Sequence, residues 1–139
     1  MLTDEVREQI RAQIGKEFPS VVVEVDKNTI RRIAEAQADP ASPNPLHVDE
    51  EYAKSSRHGA VIAPPAISVW LAQRVGWVTT EMDFGNVEAH TGDKFEWYKP
   101  IKAGDTITVR HRISDIYERQ SSKGTMVFTV NEFTFINQS

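Results

Sequence analysis

The side chains here able to move a proton near neutral pH are four histidines and their acidic neighbours. His47 stands out, because it sits in the run Asn44-Pro45-Leu46-His47-Val48-Asp49. A histidine held by a stiff loop, with a carboxylate in reach, is the equipment for general acid–base work on a water molecule. The nearest upstream acid is Asp39, eight residues before it. The other reading of His47 is a histidine that fixes the loop by bonding backbone. His58-Gly59 reads as a turn, and His90 and His111 lack a partner at useful spacing. His111, on an apolar strand face, reads as a core or interface histidine. There is no cysteine, which excludes disulfides, thiolate metal sites and thiol nucleophiles. Without Cys or a His-x-x-x-His pair no metal is expected. Ser55 and Ser56 lack the context of a nucleophile elbow.

The surrounding elements are readable. Thr3 can cap a helix whose Val6, Ile10 and Ile14 form one apolar stripe, with Gly15 and Pro19 closing it. Val21 to Val25 is β-branched and predicts a strand. Asn28 is expected to cap a short helix that turns Ile30, Ile33 and Ala34 inward. Residues 39–49 hold Pro40, Pro43 and Pro45 and should be an irregular, rigid loop. Asp49 reads as the cap of a helical turn to Ser55. Ala63-Pro64-Pro65 opens an apolar, buried helix to about Val78. Lys94 to Tyr98 reads as a strand. Thr106–Tyr117 and Thr125–Ile136 alternate as long strands, joined by Ser122-Lys123-Gly124. Helices fill the first half and antiparallel strands the second, which predicts one α+β domain over 1–139, a sheet around one buried helix.

Composition sets limits. Sixteen Lys+Arg against twenty Asp+Glu leave a net charge of −4, which argues against a nucleic-acid footprint. No apolar run approaches the roughly 18 residues of a membrane span. The acidic, amphipathic start Met1-Leu2-Thr3-Asp4-Glu5-Val6 does not read as a secretory signal, so a cytoplasmic location with no membrane contact is expected.

Three stretches come in a telling order: Asn44-Pro45-Leu46-His47-Val48-Asp49, Ile62-Ala63-Pro64-Pro65, and Tyr98-Lys99-Pro100-Ile101 followed by Gly104-Asp105. Together they resemble the MaoC-like dehydratase family, in its N-terminal type, over about residues 20 to 137. The resemblance implies the hot-dog fold, a curled antiparallel sheet around a central helix near residues 64–78, paired with a second hot dog. It implies hydration of trans-2-enoyl thioesters, or dehydration of (R)-3-hydroxyacyl thioesters, on coenzyme A or acyl carrier protein. No cofactor is implied. The family adds a strand after the dipeptide matched by Asn137-Gln138, which this chain, ending at Ser139, is expected to lack.

Two departures bear on function. Catalytic members place an Asp five residues before the His, where this chain has Ser42; Asp39 lies three residues further away. Those members also hold the thioester oxygen with a glycine N–H at the central helix start, where Pro64 stands here. Proline has no N–H to give. The resemblance therefore implies His47 and Asp39 as candidate catalytic residues, and Asn44, Ala63, Pro64 and Trp70 as candidate substrate-pocket residues. The expected function is a hydratase or dehydratase subunit that builds the acyl pocket with a partner hot dog, in a hetero- or homodimer. The alternatives are a self-sufficient homodimeric hydratase using Asp39 and His47, and a non-catalytic acyl-thioester binding module; a hot-dog thioesterase is weaker.

Overall fold

The computed structural model describes residues 2–37, 43–76 and 87–139. Helix α1 spans Asp4–Ala12, and the Thr3 hydroxyl accepts from the Val6 N–H, as its sequence requires. Ile14 lies beyond the helix end and is exposed. Strand β1 runs Glu17–Glu24, four residues longer at its start than the β-branched run suggests. Pro19 is tolerated because the register with the next strand shifts between Phe18 and Val21, on the sheet edge. Val25 falls just outside the strand but is fully buried.

Helix α2, Lys27–Gln37, is capped by Asp26 rather than Asn28. The Asp26 carboxylate accepts from the Thr29 N–H at 2.8 Å and from the Thr29 hydroxyl, which holds its pKa below the usual value. The proline-rich loop is not wholly irregular: Pro45–Val48 forms one helical turn, α3, with Pro45 at its start. Asp49 caps α4, Glu50–Ser55, by accepting from the Tyr52 N–H, as expected.

Helix α5 covers only Ile67–Ala72, followed by a 3-10 turn over Gln73–Val75. It is shorter than the apolar run implies, and Gly76, at φ 85°, ends the turn that follows it. The expected end of that helix, Trp77 and Val78, lies outside the described residues. Strands β2 (Thr106–Ser121) and β3 (Gly124–Ile136) form the long hairpin that the alternation predicts. Among the described residues the sheet has order β1-β2-β3, all antiparallel. The strand expected at Lys94–Tyr98 does not form; residues 87–100 are exposed and outside regular structure.

Two apolar clusters lie against the sheet. Ile67 and Leu71 of α5 meet Ile107 and Val109 of β2, with Val25, Ile30, Ala53 and Val61 around them. Further along β2, a bulge between Ile113 and Asp115 keeps both Ile113 and Ile116 inward, where Ile10 of α1 covers them. Between the clusters the His111 ring stacks on Phe18 at 4.5 Å and on Phe133 at 4.4 Å, so three rings cross all three strands. His111 is buried; Nε2 meets the Asn131 Oδ1 at 2.9 Å, while Nδ1 has no partner among the described residues.

Leu71 is fully buried at the centre of the first cluster. Leu71→Ala should therefore cost about 2–5 kcal/mol. The neighbouring, exposed Val69 should tolerate Val69→Ala within about 0.5 kcal/mol. Urea titration of both variants checks this, and equal losses would refute the assigned helix face.

Candidate functional site

The site is built around Ile62. Its N–H donates to the Leu46 carbonyl at 3.1 Å, and its carbonyl accepts from the His47 ring at Nδ1, 2.7 Å away. Residue 62 thus clamps α3 through both of its own backbone polar groups. Asn44 prepares α3 for this: its side-chain oxygen accepts from the Leu46 N–H at 3.0 Å and its carbonyl from the His47 N–H.

A carbonyl oxygen can only accept, so His47 Nδ1 carries a proton. In the neutral ring this leaves Nε2 with its lone pair, the form a general base needs. His47 is half-buried, close enough to the surface for exchange with water and held by the backbone on its other side.

Residues 61–63 are held in turn by residues 101–103. Ala63 donates to Ile101 at 2.7 Å, Ala103 donates to Val61 at 2.9 Å, and Ile62 bridges Lys102. Lys102 reaches the His58 carbonyl through Nζ at 2.9 Å. The turn after it is fixed by buried Asp105, whose carboxylate accepts from the Lys102 N–H and from the Gln138 side-chain amide. Gly104, at φ 91°, is required by that turn. All three stretches that carry the family resemblance therefore meet in one hydrogen-bonded unit, though they are far apart in the chain.

The candidates fare differently. His47, Ala63 and Pro64 are brought together through Ile62. Pro64 is buried; the Ala63 N–H is spent on Ile101; Pro65 has none to give. Positions 63–65 thus offer no free backbone donor for an oxyanion. Asn44 is exposed, and its side-chain oxygen serves α3. Trp70 is half-buried against the first core cluster, with the Arg74 guanidinium 4.6 Å from its ring centre. Asp39 and Ser42 lie outside the described residues. Among the described residues no group of three or more His, Asp or Glu could hold a metal ion.

Sequence reasoning missed two members. Ser68, buried inside α5, accepts from the Trp97 indole N–H at 3.1 Å. The signal was present: a small hydroxyl residue in an apolar helix needs a partner. Asp105, quoted in sequence only as part of the Gly104-Asp105 stretch, anchors both the Lys102 turn and Gln138. Two open clefts, of about 390 and 350 Å³, lie along the sheet and border neither His47 nor the start of α5. No helix among the described residues is long and apolar enough to cross a membrane.

The His47 geometry has a direct readout. At a pH where the ring is neutral, ¹⁵N NMR should show Nδ1 protonated and Nε2 of imine type. The opposite tautomer would refute the bond to Ile62.

Comparison with known proteins agrees with the three stretches. The family described as "FAS1-like, dehydratase domain region" matches residues 12–139. A UPF0336 protein of Thermobifida fusca is 36% identical over 98 residues, 67% of this chain and 62% of that protein. One from Streptomyces avermitilis is 34% identical over 109 residues, 74% of this chain and 70% of that protein. The chain thus spans less than two thirds of the first of these relatives. Among solved structures, the truncated HadBC (3R-hydroxyacyl-ACP dehydratase) complex of Mycobacterium tuberculosis has a TM-score of 0.69 at 23% identity, over 91% of this chain and 87% of that one. The MaoC-like dehydratase of Rhodospirillum rubrum has a TM-score of 0.64, also at 23% identity, over 90% of this chain and 82% of that one. The fold is thus the α+β hot dog of the MaoC-like dehydratases, and the chain belongs to the FAS1-like dehydratase-region family.

Proposed function

We propose that this chain is a subunit of an (R)-specific enoyl-thioester hydratase or 3-hydroxyacyl-thioester dehydratase, acting as the half that builds the acyl pocket while a second hot dog supplies most of the catalysis. The observation that carries this is the start of α5. Hydration requires water to add next to the thioester-conjugated double bond, a base to take its proton, and a donor to hold the enolate-like oxygen. Here the donor is missing: Ala63 is committed to Ile101, and Pro64 and Pro65 have no N–H. Losing one such donor costs about 10²–10³ in rate. The HadBC structure, a dehydratase complex of similar fold, supports this reading.

A second reading rests on His47. Its Nδ1–H bond leaves Nε2 able to accept a proton from water. In a self-sufficient homodimer, His47 would act as base with Asp39 as its acid partner. The first reading gives His47 the positioning role of tying α3 to Ile62.

The two separate in one assay of trans-2-enoyl-CoA hydration, run on the purified chain and on the chain co-expressed with a hot-dog subunit from its own genome. The expected result is little activity alone and robust activity in the complex. His47→Ala in the complex should change kcat by less than about tenfold, since removing a true general base costs 10²–10⁴. Robust activity of the chain alone, lost in His47→Ala, would establish the second reading instead.

A further inference from the structure

Beyond the bulge, β2 and β3 run on as a two-stranded arm with one face covered and one bare. Ile116 and Val127 turn toward Ile10 of α1. The alternate residues face the other way, and they pair across the arm as Asp115 with Val130, Tyr117 with Phe128 and Arg119 with Met126. Tyr117 is 37% exposed, Met126 45% and Val130 40%, so large apolar side chains lie together in water. The Tyr117 and Phe128 rings stack with their centres 5.1 Å apart. The Arg119 guanidinium lies 5.5 Å from the first ring centre and 5.6 Å from the second.

The charges on this face are unmatched within the chain. Among the described residues Arg119 has no carboxylate partner and Asp115 has no cation. Nor can they meet each other, because four residues of strand hold them about 13 Å apart. They stand at equal distances from Tyr117, the acid two residues before it and the cation two residues after. A patch with an apolar centre and opposite charges at its two ends is complementary to its own reverse.

We propose that this face is a contact between two copies of the chain, stacked antiparallel about a two-fold axis that crosses the arm at Tyr117 and Phe128. Such an axis lies between the two sheets and lays β2 of one copy over β2 of the other in the opposite direction. Tyr117 meets Tyr117, Val130 meets Met126, and Arg119 of each copy meets Asp115 of the other. A two-fold contact requires this self-complementarity, and each pair of charges is made twice. The Arg112–Glu132 pair, already satisfied, comes to face the uncharged Ser121 and Gly124. A parallel stack would set Arg119 on Arg119 and Asp115 on Asp115. Sheets stack about 10 Å apart, a gap that an arginine and a facing carboxylate span together. Six side chains are far fewer than the roughly 20–30 residues a side of a standard interface, so the contact is weak and reversible. None of these residues belongs to the His47 unit, and the contact stands independently of the function proposed above.

The test is sedimentation velocity of the purified full chain at concentrations up to about 1 mM, with Asp115→Arg and Arg119→Asp each alone and the two mixed in equal amounts. In either variant the two charges of a copy become alike, so two copies of that variant repel. In the mixture every facing pair is again opposite. The parent should associate reversibly, and each variant alone should associate at least about tenfold more weakly. The mixture should return to within about threefold of the parent, a recovery that misfolding of either variant cannot produce. Both side chains are exposed, so melting temperatures should stay within a few degrees of the parent. A mixture that associates no better than its components would overturn the proposal. So would parent self-association that both variants leave unchanged, which would place the contact elsewhere. A parent chain that stays single to about 1 mM would also overturn it and leave this face to a different molecule.

Discussion

Everything in the site depends on one residue, Ile62. Its N–H and carbonyl hold Leu46 and His47, while the carbonyl of Val61 and the N–H of Ala63 pair with Ala103 and Ile101. A half-buried histidine cannot orient itself; it takes the geometry of whatever carbonyl it donates to. That carbonyl belongs to a short ladder, and the ladder to a turn fixed by buried Asp105, so the His47 ring is tied through backbone bonds to a buried anchor. The same ladder fixes where α5 begins. It also consumes the Ala63 N–H, which is bonded to Ile101.

Much of this was legible in sequence because local physics decided it. The alternation of Ile107, Val109, His111 and Ile113 survives intact, since a strand buried on one face cannot slip by one residue without exposing all four. Asp49 caps what it was expected to cap, because a short polar side chain before a helical run satisfies N–H groups that have no other partner. The order of the three motif stretches pointed to the family. What could not be read was how those stretches touch. Nothing in local propensity says that His47 donates to residue 62 or that Trp97 reaches Ser68, because both bonds join residues many positions apart.

The misreadings share a cause as well. Asp26 displaced Asn28 as a cap because two acceptor oxygens serve both the N–H and the hydroxyl of Thr29. Proline 19 read as a terminator, yet a bulge at a sheet edge removes the need for its missing donor. Proline 45 read as a breaker, yet the first turn of a helix asks for no N–H there. In each case the residue's chemistry was understood and its place in the hydrogen-bond accounts was not.

Lys94–Tyr98 is the instructive case, because there the sequence and the isolated chain disagree for a reason. Alternating large side chains favour extended backbone, and that preference is expressed: the Phe95 and Trp97 rings stack at spacing two and Lys94 pairs with Glu96 at spacing two. What the described residues do not supply is the neighbouring strand. Strand propensity is a preference for a pleated, half-buried surface, not for an isolated backbone. A segment can therefore keep its side-chain order while, among the described residues, its main chain makes no hydrogen bond. It is tied to the α5 entry through Trp97 and Ser68, and the Ile101 carbonyl just beyond it takes the Ala63 N–H.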